Sequence, residues 1–253
     1  HCIISSYYIH IISNNEWCRE YISHFVKLHA IQFLEKVGHY LMNENSKWRL
    51  DFAKSLFNRI TTYDNITAFI VGGSTARGIS DEFSDLELCF FWDQAPTNEQ
   101  RLSIIESFKG NLLIPFMEVD AREPFNLEDC IEVNGLQVDI WHISKNTEVE
   151  TINSVLSAKN ISLNSLNACE VIMTSIPVYD PGGFVKSLKE KVSFYPNELA
   201  RAVIEDNIRF LSNGNLKIHI YRSDHTITFG LISGLQKRIF NILMALNDKF
   251  NPT

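Results

Sequence analysis

The chain has 253 residues, 45% hydrophobic and 21% charged, with 23 Lys+Arg against 30 Asp+Glu. That length allows one large domain or two modest ones, and the composition excludes disorder, collagen and coiled coil. A net charge of −7 lacks the overall attraction for phosphate backbones that nucleic-acid binders carry, and suits a cationic small substrate better.

The five cysteines (Cys2, Cys18, Cys89, Cys130 and Cys169) are odd in number, far apart and without a C-x-x-C pair. They argue against a disulfide framework and a zinc site, and read as reduced thiols of a cytoplasmic protein. No apolar run approaches the ~20 residues that span a bilayer. The opening HCIISSYYIH lacks the basic start and compact apolar core of a signal peptide. With no initiating Met and an abrupt stop at Thr253, one or both ends are expected to be trimmed, and residues 2–14 to be partly foreign to the protein.

In chain order, residues 16–37 carry Trp17, Tyr21, Phe25, Leu28 and Phe33 at helical spacing, and 48–61 repeat the pattern with Leu50, Phe52, Leu56, Phe57 and Ile60. Both read as helices whose aromatics fill core. The texture then turns β-rich. Residues 66–71 (ITAFIV) form a strand closed by Gly72-Gly73, and 85–92 (DLELCFFW) form a second. Residues 101–108 read as helix. Residues 112–119 read as a third strand, with Pro115 marking an edge or a bulge. Residues 130–133 and 136–143 flank Asn134-Gly135, a strong hairpin signal because a type I′ turn needs positive φ twice. From Lys145 onward the pattern is helical. Thr147-x-x-Glu150 reads as a capping box, 178–183 (VYDPGG) as a loop, and 197–211 and 226–250 as long helices.

The chemistry concentrates in Gly72-Gly73-Ser74-Thr75-Ala76-Arg77-Gly78, followed by Glu82-Phe83-Ser84-Asp85-Leu86-Glu87. Glycine lets backbone approach a ligand closely, free N–H groups at a helix start suit a phosphate, and Ser74 adds a hydroxyl. Alone, such a turn is ordinary. Eleven residues after Ser74, Asp85 and Glu87 stand at i and i+2 of a strand, on one face and about 6.5–7 Å apart. Two acids there repel each other unless a cation lies between them, and Mg²⁺ binds through one or two carboxylates plus substrate phosphates. A plain exposed sheet face would also accommodate them. Asp139 interrupts a second apolar strand, Leu136-Gln137-Val138-Asp139-Ile140-Trp141. If the two strands are neighbours, three carboxylates converge, enough for two metals or for one metal plus a general base. His142 falls on the opposite strand face from Asp139 and is not read as catalytic.

Gly73-Ser74, Asp85-Leu86-Glu87 and Asp139 together resemble the nucleotidyltransferase superfamily that includes DNA polymerase β. That superfamily's pattern is an apolar strand, Gly-Ser, a spacer, Asp-x-Asp/Glu, and a later acid on another strand. The phrase Glu82-Phe83-Ser84-Asp85-Leu86-Glu87 is most similar to bacterial antibiotic nucleotidyltransferases that act on aminoglycosides and lincosamides. In the tail, Tyr195-Pro196-x-x-Leu199, Arg222-Ser223-Asp224 and Ala245-Leu246-Asn247 are similar to the C-terminal bundle of those enzymes.

The resemblance implies an α/β (α+β) fold. A small mixed sheet flanked by helices would occupy residues 1–145, followed by a C-terminal helical bundle over 146–253. It implies transfer of a nucleoside monophosphate from an NTP, with ATP the expected donor, to a hydroxyl of a small-molecule acceptor, with release of pyrophosphate. Asp85, Glu87 and Asp139 would be the catalytic and Mg²⁺-binding acids of a two-metal site, Asp139 being either a third ligand or the base. Gly73, Ser74, Arg77 and Ser84 would bind the nucleotide. Glu118 is a reserve base. Asp180, Glu205, Asp206 and Asp224 are acids that could hold a cationic acceptor, with helix capping the better reading of Asp224. Tyr179 and Trp141 could stack on a base or a sugar. The expected partners are the NTP and the acceptor, with no membrane and no nucleic acid, and a homodimer is compatible with the reading. The alternatives are a protein or RNA acceptor, or a non-catalytic nucleotide-binding module of the same fold.

Overall fold

The computed structural model describes residues 42–60, 65–118, 125–211 and 216–252. The helix expected over 16–37 and the segment 2–14 lie outside the described residues. The elements in order are α1 (Glu44–Phe57), β1 (Ile66–Val71), the single turn α2 (Gly73–Ala76), β2 (Leu86–Trp92), α3 (Asn98–Phe108), β3 (Asn111–Leu112), β4 (Asn126–Val133) and β5 (Leu136–Ser144). Then come α4 (Lys145–Leu156), α5 (Leu163–Thr174), β6 (Ile176–Tyr179), α6 (Phe184–Val192), α7 (Asn197–Leu211), α8 (Leu216–Tyr221) and α9 (His225–Leu246).

Among the described residues, six strands form one mixed sheet in the order β3-β4-β5-β2-β1-β6. Of the pairings among them, the central one, β2 with β5, is parallel and the others are antiparallel. This is the α/β architecture expected, a mixed sheet flanked by helices and followed by more helices. The inner strands β1 and β2 are covered on both faces, so they read as apolar runs rather than as an alternation.

One face is the main core. Leu86, Leu88, Phe90 and Trp92 of β2 join Val138 and Ile140 of β5 and Phe69 and Val71 of β1 against Ala53 and Leu56 of α1 and Ile104, Ile105 and Phe108 of α3. Phe69 anchors it, with ring centroids 4.6 Å from Phe90 and 5.0 Å from Phe57. The other face carries Glu87, Cys89 and Phe91, and is partly covered by helices that follow the sheet, as where Phe184 of α6 meets Phe91 edge-on at 5.3 Å.

The core face also holds a buried polar chain. Arg101 of α3 pairs with Asp129 of β4 through Nε at 3.0 Å and Nη2 at 2.5 Å. Trp92 Nε1 donates to His142 Nδ1 at 3.1 Å, which leaves Nε2–H to donate to Asp129 Oδ2 at 3.1 Å. Burial and the neighbouring Arg101 keep His142 neutral to lower pH than usual, against the pull of Asp129. Burial pushes Asp129 up, but the hydrogen bonds from His142 and Arg101 outweigh it and hold the carboxyl below the usual range. His142 is therefore structural, on the face away from Asp139, as its spacing implies.

Several expected boundaries move. The Asn134-Gly135 hairpin forms, with φ of 55° and 83°, but its arms lengthen to Asn126–Val133 and Leu136–Ser144. The strand expected over 112–119 shrinks to Asn111–Leu112, and the chain leaves the sheet before Pro115, which has no N–H to give a ladder. Leu113, Ile114 and Met117 are left exposed. Part of the loop expected over 178–183 is instead the edge strand β6, where Pro177 is tolerated beside β1. The cap of α4 is Ser144, which accepts from Thr147 N–H, so Thr147 lies inside the first turn rather than at the N-cap. The helix expected over 48–61 starts earlier, at Glu44, and ends at Phe57. The last helix ends at Leu246, and Phe250 beyond it packs on Tyr195 with ring centroids 4.8 Å apart. Among the described residues, no helix is long and apolar enough to cross a membrane.

Arg101 and Asp129 are each only 2% exposed. Removing one partner strands a buried charge, so Arg101→Leu should cost about 3–5 kcal/mol at neutral pH in chemical denaturation. The loss should shrink as pH falls and Asp129 protonates. Arg101→Leu with Asp129→Leu should recover most of it.

Candidate active site

The site is built where β1 ends. Gly72 N–H donates to Glu87 C=O at 3.0 Å, the last rung between β1 and β2. The chain then turns through Gly73 at φ +57°. A Cβ on Gly73 would stand 2.6 Å from the Glu87 carboxyl carbon and 2.7 Å from both its oxygens. The left-handed backbone calls for glycine here, and a Cβ would also oblige the end of the Glu87 side chain to swing aside.

The α2 turn follows. Ala76 and Arg77 N–H groups donate back to Gly72 and Gly73 C=O. The Ser74 and Thr75 hydroxyls each lie 3.1 Å from Ser80 Oγ, and Ser80 N–H donates to Ser46 Oγ of α1 at 2.9 Å. The turn is thus tied to the helix beneath the sheet.

The loop to β2 is held from within. Asp81 N–H donates to Ser84 Oγ, and Asp81 Oδ1 accepts from the Ser84 hydroxyl and from Phe83 N–H, at 2.9–3.0 Å. The Ser84 hydroxyl is therefore engaged in this turn, while the Phe83 ring stands exposed. Buried Arg49 donates to Ser84 C=O at 2.7 Å and to Asn45 C=O at 3.1 Å. The loop delivers Asp85 to the start of β2.

The parallel pairing then aligns the acids. Glu87 of β2 is the Cα partner of Asp139 of β5, on strands about 4.8 Å apart with side chains on one face. Asp85 lies two residues before Glu87. Burial pushes Asp85 above the usual carboxylate range, and the charge and hydrogen bonding of Asp139 push it further. Burial and the charge of Asp85 do the same to Glu87, with Arg77 pulling the other way. Both Asp139 oxygens accept from Gln137 Nε2 at 3.1 Å. Cys130, opposite Asp139 on β4, has its thiol pushed up to about 12 by burial and by Asp139.

The donor chemistry is that of a hard divalent cation site: three carboxylates on one face, two of them pushed above the usual range by burial and by their acidic neighbours. As the side chains stand, no three of the described His, Cys, Asp and Glu residues are arranged to hold a metal ion. The fit is one of donor chemistry and of strand register, not of side-chain geometry.

Arg77 turns toward α5, where its Nη1 lies 3.6 Å from Glu170 Oε2. Glu170 is 5% exposed on its side chain, and burial pushes it up although Arg77 pulls it down. Glu170 is absent from the candidates that the motifs single out, although it is the only charged residue in α5 (LNSLNACEVIMT).

The remaining candidates separate cleanly. Asp180 accepts from the N–H groups of Val185 and Lys186 and caps α6, and Asp224 caps α9 by accepting from Ile227 N–H. Tyr179 meets Phe57 in a tilted contact, ring centroids 5.1 Å apart, on the core side. Trp141 shares the site face with Asp139, two residues along β5. Glu118 and Glu205 are exposed and Asp206 is half-buried.

No family model and no curated protein matches the chain. Among solved structures, it is similar to a nucleotidyltransferase-like protein from Exiguobacterium sibiricum 255-15, with 9% identity and a TM-score of 0.36. The match covers 79% of this chain and 56% of that one, so the chain spans little more than half of that protein's length. A likeness this remote carries nothing about the site.

Gly73→Ala should cost about 1–2 kcal/mol in denaturation from the left-handed backbone, with a smaller addition from displacing the Glu87 carboxylate. Adding Glu87→Ala to the same chain should relieve the clash and leave the backbone penalty of about 1–2 kcal/mol. Equal stability of Gly73→Ala and the parent chain would contradict the left-handed backbone, and a loss that Glu87→Ala leaves unchanged would contradict the close approach.

Proposed function

We propose that the chain is a Mg²⁺-dependent nucleotidyltransferase that moves a nucleoside monophosphate, AMP from ATP in the first instance, to a hydroxyl of a small-molecule acceptor. The observation that carries this reading is the register of β2 and β5, which sets Glu87 beside Asp139, with Asp85 two residues away and the Gly73 turn against the Glu87 carboxylate. Acids converging beside a glycine-serine turn suit phosphoryl chemistry, in which positioning and charge stabilisation do most of the work.

Asp85 and Glu87 would hold Mg²⁺, with Asp139 completing the set. The bound metal supplies countercharge to the triphosphate and to the leaving pyrophosphate. The Gly73-Ser74 turn offers backbone N–H groups and a hydroxyl to the β- and γ-phosphates, and Arg77 adds a cation on the same side. Asp139, oriented by Gln137, takes the proton from the acceptor hydroxyl in the version where it serves as the base. The acceptor oxygen bonds to the α-phosphorus, the bond from that phosphorus to the bridging oxygen breaks, and pyrophosphate leaves. Residues 146–253 would wall the acceptor side. Antibiotics bearing hydroxyl groups, aminoglycosides and lincosamides among them, are the first acceptors to test.

The test is mass spectrometry of an acceptor panel incubated with the full chain, Mg²⁺ and each of the four NTPs. We expect a nucleoside-monophosphate adduct on one small molecule. Asp85→Asn should cut its formation by about a thousandfold, the scale of several kcal/mol of lost charge stabilisation. Because Asp85 is held above its usual range, its charge opposes folding at neutral pH. Asp85→Asn should therefore melt no lower than the parent. Undiminished turnover in that variant would remove Asp85 from the site, and an adduct on protein alone would make the acceptor a protein.

A further inference from the structure

We infer that Glu170 is a positioning residue for the proposed reaction: it holds the Arg77 guanidinium off the Glu87 carboxylate, beside the Gly73-Ser74 turn, as a preformed clamp for the phosphates of an NTP. This rests on the nucleotidyltransferase reading above.

Glu170 sits on a firmly seated helix. Ser162 caps α5 by accepting from Ser165 N–H, and Lys189 of α6 reaches back to donate to Met173 and Ser175 C=O at 3.0 and 2.6 Å. The helix is pressed against the phosphate turn, because a Cβ on Gly72 would lie 3.9 Å from Val171 Cγ1. Glu170 and Val171 therefore both abut the segment from Gly72 to Arg77.

The pairing itself is poor as a stabilising device. Glu170 Oε2 is buried and makes no hydrogen bond. Its approach to Arg77 Nη1, at 3.6 Å, is an ion pair beyond hydrogen-bond length. A buried carboxylate left with an open lone pair costs free energy that an apolar residue at this position would not. What it does achieve is directional. Arg77 feels two carboxylates, Glu87 and Glu170, and lowers the proton affinity of both. Glu170 gives the guanidinium an anchor on α5 at 3.6 Å, so the attraction of Glu87 is balanced from the other side. With Glu170 in place, the cation is already oriented when the nucleotide arrives, so little ordering is left to be done on binding.

The test is a thermodynamic cycle on the full chain, titrated with magnesium ATP by calorimetry, then with the other three NTPs. Glu170→Gln should weaken nucleotide binding by about 10- to 100-fold, the range known for removing the outer partner of a metal ligand, taken here for a guanidinium. In the turnover assay the effect should fall on KM for the NTP more than on kcat. In an Arg77→Ala background, Glu170→Gln should change nothing further, because Glu170 acts through Arg77. Glu170→Asp keeps the charge and should bind more tightly than Glu170→Gln; it also serves if the glutamine variant folds poorly. Undiminished nucleotide binding by Glu170→Gln, losses that add across the two sites, or equal defects in the Asp and Gln variants would overturn the assignment and leave the enzymatic reading standing. If the parent chain binds none of the four NTPs, both fall together.

Discussion

The parallel pairing of β2 with β5 is the constraint on which the rest of the molecule depends. It sets Glu87 level with Asp139. Because side chains alternate across a strand, a slip of one residue would move Asp139 to the core face and an apolar neighbour to the site. The buried chain from Arg101 through Asp129 and His142 to Trp92 holds against that slip. It links α3, β4, β5 and β2 on the core face. The polar contacts on one side of the sheet thus keep register for the acids on the other.

The two faces make opposite use of charge. On the core face, Asp129 is fully partnered and held below the usual range, so it supports folding at neutral pH and withdraws that support as pH falls. On the site face, Asp85 and Glu87 are held above it, and Glu148 of α4, buried behind them, is pushed up to about 7. Ionising these groups opposes folding, and the penalty grows as pH rises from the ordinary carboxylate range through their raised values. The apolar core carries that burden, and the concentration of strained acids on one face is what a site for a cation and phosphates requires.

Much of this was legible in the sequence, for identifiable reasons. Gly73 reads in the sequence as room for a ligand to approach the backbone, whereas in the structure the Glu87 carboxylate stands where its Cβ would be. Asp85, Glu87 and Asp139 stand out because acids are rare in otherwise apolar strands. Asn134-Gly135 fixes a turn by backbone sterics alone. Strand pairing is harder to read. The length of β3 depends on how far β4 accompanies it before Pro115, and β6 exists because β1 offers an edge that Ile176–Tyr179 can join despite Pro177. The cap of α4 was misplaced because Ser144 ends β5 and also caps the helix, so strand and helix share a boundary with no loop between them. Glu170 was missed because its partner lies 93 residues earlier in the chain, a separation that no local pattern spans.

The most direct test of the central claim, that the acids from β2 and β5 form one cation site, is Mn²⁺ binding by the full chain, followed by electron paramagnetic resonance with and without ATP. Convergence predicts bound Mn²⁺ that ATP tightens and that Glu87→Gln or Asp139→Asn each weakens severely. Mn²⁺ binding that is indifferent to either substitution, or absent even with ATP, would contradict it.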